Sequence, residues 1–322
     1  MDMNTFTSLF KLDKKPIKGL LPAEWVMLGY LALTLLLLLF TFTKAQQPME
    51  MLWGRLQIVV MTIALWGVYR MIPCRFTLFA RIAAQLALLS WWYPDTYEFN
   101  RMFPNLDHLF AQWEQDWFGC QPALLFSQQP SHPIFSELMD LGYAAYYPMI
   151  VIVTLFFFLF NYEQFGKASF IILASFFAYY IIYIAVPVAG PQYYFNAVGV
   201  DEIARGVFPN IGHYFADHQE ALRSPGYDEG FFYQMVADAH DAGERPTAAF
   251  PSSHVGVSTI LMLLVWQARA RRLFFWMLPI YVLLCLSTVY IMAHYAIDVL
   301  GGWLSAILFY AGLSFVYLKV KE

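Results

Sequence analysis

Eight stretches of this chain are apolar for about the width of a membrane, and no other property narrows its fold so far. The first, Trp25 to Phe42, spans about 27 Å as a helix, close to the hydrocarbon thickness of a bilayer. Comparable runs follow at Leu52 to Ile72, Phe76 to Trp92, Leu138 to Phe160, Ser169 to Val186, Ser253 to Trp266, Leu273 to Ile291 and Tyr295 to Leu318. With 60% hydrophobic and only 13% charged residues among 322, the chain is too apolar for a water-soluble domain. The expected fold is an all-α integral membrane protein with about eight transmembrane helices.

Arg55 and Arg81 interrupt the second and third runs, each near an end, and are expected to extend toward the headgroup region. Two polar stretches, Tyr93 to Ile134 and Pro187 to Pro251, are each long enough for short helices. Trp113, Trp117 and Phe118 mark the first as lying at the interface. With no internal repeat and no linker, the expected organisation is residues 1–135 as N-terminal spans and interfacial loop, and 136–322 as a catalytic membrane domain. The polar N-terminus lacks a small-residue cleavage site and reads as retained. Cys74, Cys120 and Cys285 form neither a disulfide framework nor a metal-ligand spacing.

A net charge of -4 favours neither nucleic acid nor a polybasic anchor, so the distribution of charge carries the information. Eight spans put both termini on one side, with the connections holding Arg70, Arg75, Lys167, Arg269, Arg271 and Arg272. The stretch from Pro187 to Pro251 is instead rich in acids, among them Asp201, Glu202, Asp217, Glu220, Asp228 and Glu229. The positive-inside rule then places the termini in the cytoplasm and both large loops on the extracytoplasmic side.

Two histidine motifs fall on that side, each where a loop meets an apolar run. In Pro251-Ser252-Ser253-His254 a serine can cap the helix, and the first turn offers backbone N–H groups to an anion. His254 beside that anion is a candidate general acid. In His294-Tyr295-Ala296-Ile297-Asp298 the i, i+4 spacing sets imidazole and carboxylate on one helical face. The carboxylate can then hold one ring nitrogen as N–H and free the other to attack phosphorus. Taken singly, one motif reads equally as a cap and the other as a packing pair. Together, on one side and at span boundaries, they read as a reactive site.

At these residues the chain resembles the type 2 phosphatidic acid phosphatase (PAP2) superfamily, whose second motif is Ser-Gly-His or a relative and whose third ends His-x-x-x-Asp. The resemblance covers mainly Leu138 to Leu318. It implies a six-helix core bundle, lipid phosphate esters as substrates, no metal or other cofactor, His294 as nucleophile, His254 as acid and Asp298 as orienter. Two departures accompany it. The third motif's Ser-Arg is Ser287-Thr288 here, and of the first motif only the proline of Gly190-Pro191 remains. These departures, with Ala249-Phe250-Pro251-Ser252 and with Tyr290 before His294-Tyr295, resemble the branch containing fungal inositol phosphorylceramide synthase.

Ser252, Ser253, Gly190 and Pro191 are the expected substrate-binding positions, and Arg245 is expected to fold back and supply the missing positive charge, with Arg223 and Arg205 as alternatives. Fewer fixed cations suit a phosphodiester, which carries one charge, better than a monoester. His213, Asp217 and His218 match no common ligand spacing, so no metal site is expected. Tyr193, Tyr194 and Phe195 read as interface anchors, or as the lining of an entry for lipid tails. The expected function is transfer of a phosphoryl-linked lipid head group through a phosphohistidine. The alternatives are a lipid phosphate or polyprenyl pyrophosphate phosphatase, and a non-catalytic membrane scaffold or transporter.

Overall fold

The computed structural model of the protein describes residues 7–129 and 132–321. The first six residues of the polar N-terminus, residues 130–131 of the first polar stretch and the last residue lie outside it. The N-terminal helices are α1 (Pro22–Thr41), α2 (Pro48–Met71), α3 (Arg75–Ala87) and α4 (Leu89–Asn100), followed in the first polar stretch by α5 (Asp107–Phe118) and α6 (Pro122–Ser127). Then come α7 (Pro133–Ala144), α8 (Tyr146–Phe160), α9 (Tyr162–Ala185), and in the second polar stretch α10 (Pro191–Val198), α11 (Val200–Ala204) and α12 (Phe231–Gly243). The chain ends with α13 (Ser253–Gln267), α14 (Arg271–Tyr290) and α15 (Ala296–Lys321).

Five of these, α1, α2, α9, α14 and α15, are long and apolar enough to cross a bilayer, and α7 with α8 makes a sixth span bent by 48°. The bend has a local cause: Pro148 has no N–H to return to the Ala144 carbonyl, so the ladder is interrupted where α7 gives way to α8. The run expected at Phe76 to Trp92 is likewise divided, at Leu88, where the Trp91 and Trp92 N–H groups both turn back to the Leu88 carbonyl. The run at Ser253 to Trp266 forms α13, whose 15 residues reach about 22 Å. Phe40 and Trp276, 81% and 82% exposed, point outward as lipid-facing side chains do.

The arginines of the second and third runs differ from expectation, because neither reaches outward. Arg55 is buried and donates Nη1 to Asp95 Oδ1 at 3.0 Å and Nη2 to Oδ2 at 2.7 Å. Arg81, fully buried, donates Nε to Glu24 Oε1 at 2.8 Å. A charge removed from water needs an opposite charge and hydrogen bonds in contact with it, and both partners come from other helices. These two pairs tie α2 to α4 and α1 to α3.

Helix α9 is the axis of the bundle, with 72% of its apolar window buried and α1, α4, α8, α13 and α15 packed around it. Helices α13 and α14 form a hairpin that returns the end of α14 to the level where α13 begins. Helices α13 and α15 approach closely through glycine: a Cβ on Gly302 would stand 2.7 Å from the Ser252 carbonyl oxygen, and one on Gly256 3.2 Å from the Gly302 oxygen. That contact draws the first turns of α13 and α15 together.

Candidate active site

Three connections meet at this end of the bundle: residues 186–190 after α9, 247–252 before α13, and 291–295 between α14 and α15. Backbone hydrogen bonds knit them into one layer. Ala249 N donates to Val188 O at 3.0 Å, Gln192 N to Met292 O at 2.8 Å, and Ser252 N to Asp298 O at 3.0 Å. Gly190 takes φ +99°, and a Cβ there would stand 2.6 Å from the Ala293 carbonyl oxygen, so the first connection can lie directly against the third only with glycine at this position.

This layer holds the two histidine rings edge to face, with centroids 5.5 Å apart. His294 is buried, and its Nδ1 lies 2.8 Å from the Ala249 carbonyl oxygen. A carbonyl only accepts, so Nδ1 carries the hydrogen and Nε2 keeps a free lone pair. That lone pair faces His254 Nδ1 at 3.4 Å, which makes His254 Nδ1–H the donor. The His254 ring lies between Tyr143, stacked at 4.6 Å, and Tyr146, at 4.3 Å. Burial pushes His294 down to about 4, against the Ala249 hydrogen bond and the nearby Glu244 charge, which both pull upward. His294 is therefore neutral at physiological pH.

Asp298 stands beside His294, with Oδ2 3.7 Å from Nδ1, too far for a hydrogen bond. Its Oδ2 instead accepts from Tyr295 N at 2.8 Å, across the start of α15. The hydrogen bond that orients the His294 ring thus comes from a backbone carbonyl, where sequence spacing points to the carboxylate.

The start of α13 is also more closed than expected. Ser252 is buried and caps the helix, its Oγ accepting from Val255 N at 3.4 Å. Ser253 N donates to Tyr183 Oη at 3.0 Å, and that hydroxyl donates to Pro251 O at 3.1 Å. Ser253 and His254 line a cavity with His294, while Gly190 and Pro191 sit behind the Ala189 and Gln192 that face it. Arg245 reaches this cavity and is its one guanidinium among the described residues. Arg205 is exposed and bonded to Glu202, and neither it nor Arg223 lines the cavity. Thr288, at the place of the third motif's arginine, is buried and donates to Cys285 O at 3.0 Å.

Two acidic residues of α5 brace the site from behind, and the sequence reading passed over both. Asp107 is fully buried; its Oδ2 accepts from Ala189 N at 2.7 Å and its Oδ1 from Gly190 N at 2.8 Å and Tyr295 Oη at 3.0 Å. Glu114, equally buried, accepts from Ile297 N at 3.1 Å with Oε1 and so caps α15. Burial raises Asp107 to about 6 and Glu114 to about 8, the latter with help from the Asp298 charge. The signal lies in their spacing: Asp107, Phe110, Ala111 and Glu114 form one buried stripe at i, i+3, i+4 and i+7. Trp113, Trp117 and Phe118 of the same helix are exposed. Glu244 and Gln192, in the cavity wall, carry no comparable pattern.

No curated protein and no solved structure matches the chain. A family model described as the PAP2 superfamily matches residues 108–312, beginning within α5 and ending in α15. That span takes in both histidines, the glycine contact and the connections that unite them. The chain belongs to the PAP2 superfamily, and it is a membrane enzyme of that superfamily's lipid phosphatase and phosphotransferase type.

Proposed function

We propose that this enzyme transfers a phosphoryl-linked head group from one membrane lipid to another through a phosphohistidine at His294, as an inositol phosphorylceramide synthase-like phosphotransferase. The supporting observation is the pairing of a free His294 Nε2 lone pair with the His254 Nδ1–H at 3.4 Å, in a cavity with a single guanidinium. His294 Nε2 attacks phosphorus, and the bond to the leaving oxygen breaks as His254, protonated to the imidazolium beside the bound phosphate anion, delivers a proton there and is left neutral. In the second step an acceptor hydroxyl oxygen attacks phosphorus, His254 takes the hydroxyl proton, and the N–P bond breaks. Phosphorus must occupy the line between the two nitrogens, so the His254 ring gives way along its tyrosine stack.

Arg245 supplies positive charge to the phosphoryl oxygens in this scheme. One guanidinium matches the single charge of a phosphodiester, while a monoester, with nearly two, is better matched by the cations absent from the first and third motifs. Asp298 stabilises the positive charge that forms on His294 as its ring becomes phosphorylated.

The test is to incubate detergent-purified protein with labelled phospholipids, with and without ceramide or diacylglycerol, and identify every product. A head group moved to the added alcohol supports transfer, and release of free phosphate with no alcohol present selects the phosphatase reading. Full activity in His294→Ala removes the phosphohistidine. For sidedness, we place the termini in the cytoplasm and the cavity on the extracytoplasmic side, from the distribution of basic residues. In a Cys120→Ser background, Asp217→Cys, at an exposed position, is expected to react with an impermeant thiol reagent from outside intact cells. Labelling only after lysis reverses the orientation.

A further inference from the structure

A carboxylate faces the reacting centre, and head-group transfer as derived above gives it no task. Glu244 follows α12 and lines the cavity with both histidines. Its Oε1 accepts from Tyr143 Oη at 2.8 Å, and its Oε2 accepts from Gln192 Nε2 at 3.1 Å. His240 Nε2 also stands 3.1 Å from Oε2. With its side chain only 18% exposed, this carboxylate is held by hydrogen bonds from two elements, α7 and α10, beside the His240 ring. Its charge acts on the site, since it is among the influences that raise His294.

An anion in the wall of a phosphate site opposes every negative charge the substrate brings. Arg245 follows Glu244 in the chain, with Nη1 donating to the Glu244 carbonyl oxygen at 3.0 Å, so the cavity carries one positive and one negative group side by side. A monoanionic phosphodiester meets an attraction and a repulsion of similar size. A dianionic monoester doubles both, so the carboxylate cancels the extra attraction to Arg245 that would otherwise offset the monoester's larger desolvation cost, in a site where charges couple strongly.

We infer that Glu244 is a specificity-determining residue, a charge filter that admits lipid phosphodiesters to the His254 and His294 centre and turns away lipid phosphomonoesters. This rests on the cavity being the phosphate site of the proposed function. It adds the reason why the enzyme is not a phosphatidate phosphatase: the barrier is a fixed negative charge, in addition to the lack of cations.

The experiment uses methyl phosphate, doubly charged at pH 8, and dimethyl phosphate, singly charged at every working pH, as ligands of similar size for the purified full-length protein. In Glu244→Gln the amide oxygen still accepts from Tyr143, and Gln192 can turn its amide to keep the other contact. Methyl phosphate is expected to bind Glu244→Gln about tenfold or more tighter than wild type, with dimethyl phosphate changing by less than about threefold. Tyr143→Phe removes the hydrogen bond and leaves the charge, and is expected to shift neither ratio, which separates charge from packing. Equal shifts for the two ligands in Glu244→Gln, or no tightening of methyl phosphate, overturn the filter. The binding comparison needs no turnover, so it decides the role of Glu244 even if His294→Ala disproves the phosphohistidine.

Discussion

His294 Nδ1 donates to the carbonyl oxygen of Ala249 at 2.8 Å, across 45 residues of chain, while the Asp298 carboxylate one helical turn away stands at 3.7 Å. The tautomer that exposes Nε2 is therefore set by the backbone before α13, and the carboxylate acts on the ring through space. This divides two roles that the i, i+4 spacing assigns to one residue.

Asp298→Asn is accordingly expected to keep the His294 ring in place and to lower kcat by about 10²-fold, the size of losing one electrostatic contact in a catalytic site. His294→Ala is expected to cost about 10⁴-fold or more. Initial rates on one lipid substrate, with thermal melts to confirm folding, check the difference. Equal losses would return the tautomer to Asp298.

The pH profile follows from His294. In the proposed mechanism its neutral form is the nucleophile, and burial holds the free enzyme's His294 at about 4. Activity as kcat/KM is expected to show no loss from His294 protonation between pH 7 and about 5, and to fall as pH drops through about 4. Glu244→Gln removes an influence that raises His294, so the acid limb moves to lower pH. A limb near pH 6.5 in wild type would show that His294 is solvated.

Glu114 makes stability depend on pH in the opposite sense to a paired carboxylate. Folded Glu114 titrates at about 8 and an unfolded glutamate at about 4.3. Between these values the folded state holds more protons, so stability falls as pH rises, by up to about 1.4 kcal/mol per pH unit from this group. Glu114→Gln is expected to flatten that slope in melting curves taken from pH 5 to 8. Parallel slopes in variant and wild type refute it.

Gly302→Ala forces a Cβ to within 2.7 Å of the Ser252 oxygen, a backbone atom that cannot turn aside. Helices α13 and α15 must separate, at a cost of about 1–3 kcal/mol, and the histidines lose register. Activity is expected to fall more than about tenfold while the protein still inserts. Gly312→Ala, on the same helix with open space around its Cβ, is the matched control.

The apolar runs made the membrane helices legible because lipid leaves the backbone few alternatives. The meeting of His254 and His294 was legible because α13 and α14 form a hairpin, which returns residue 294 to the level of residue 254. What stayed hidden depends on contacts between distant segments. Nothing in the sequence around Arg81 names Glu24, 57 residues away, as its partner. The serines before His254 look available to an anion until Tyr183, 70 residues earlier, takes the Ser253 N–H. The division of the third run at Leu88 was missed because an apolar stretch records its total length and not its bends.

Asp107 grips Tyr295 across 188 residues, and this gives the enzyme an order of completion. A ribosome releases Asp107 long before Gly190, and Gly190 long before Tyr295. Until α15 is threaded into the membrane, the buried acid lacks the hydroxyl that completes its bonds, and His294 is not yet held beside His254. A nascent chain halted at any earlier span lacks the paired histidines, so the site is assembled only once α15 is in place.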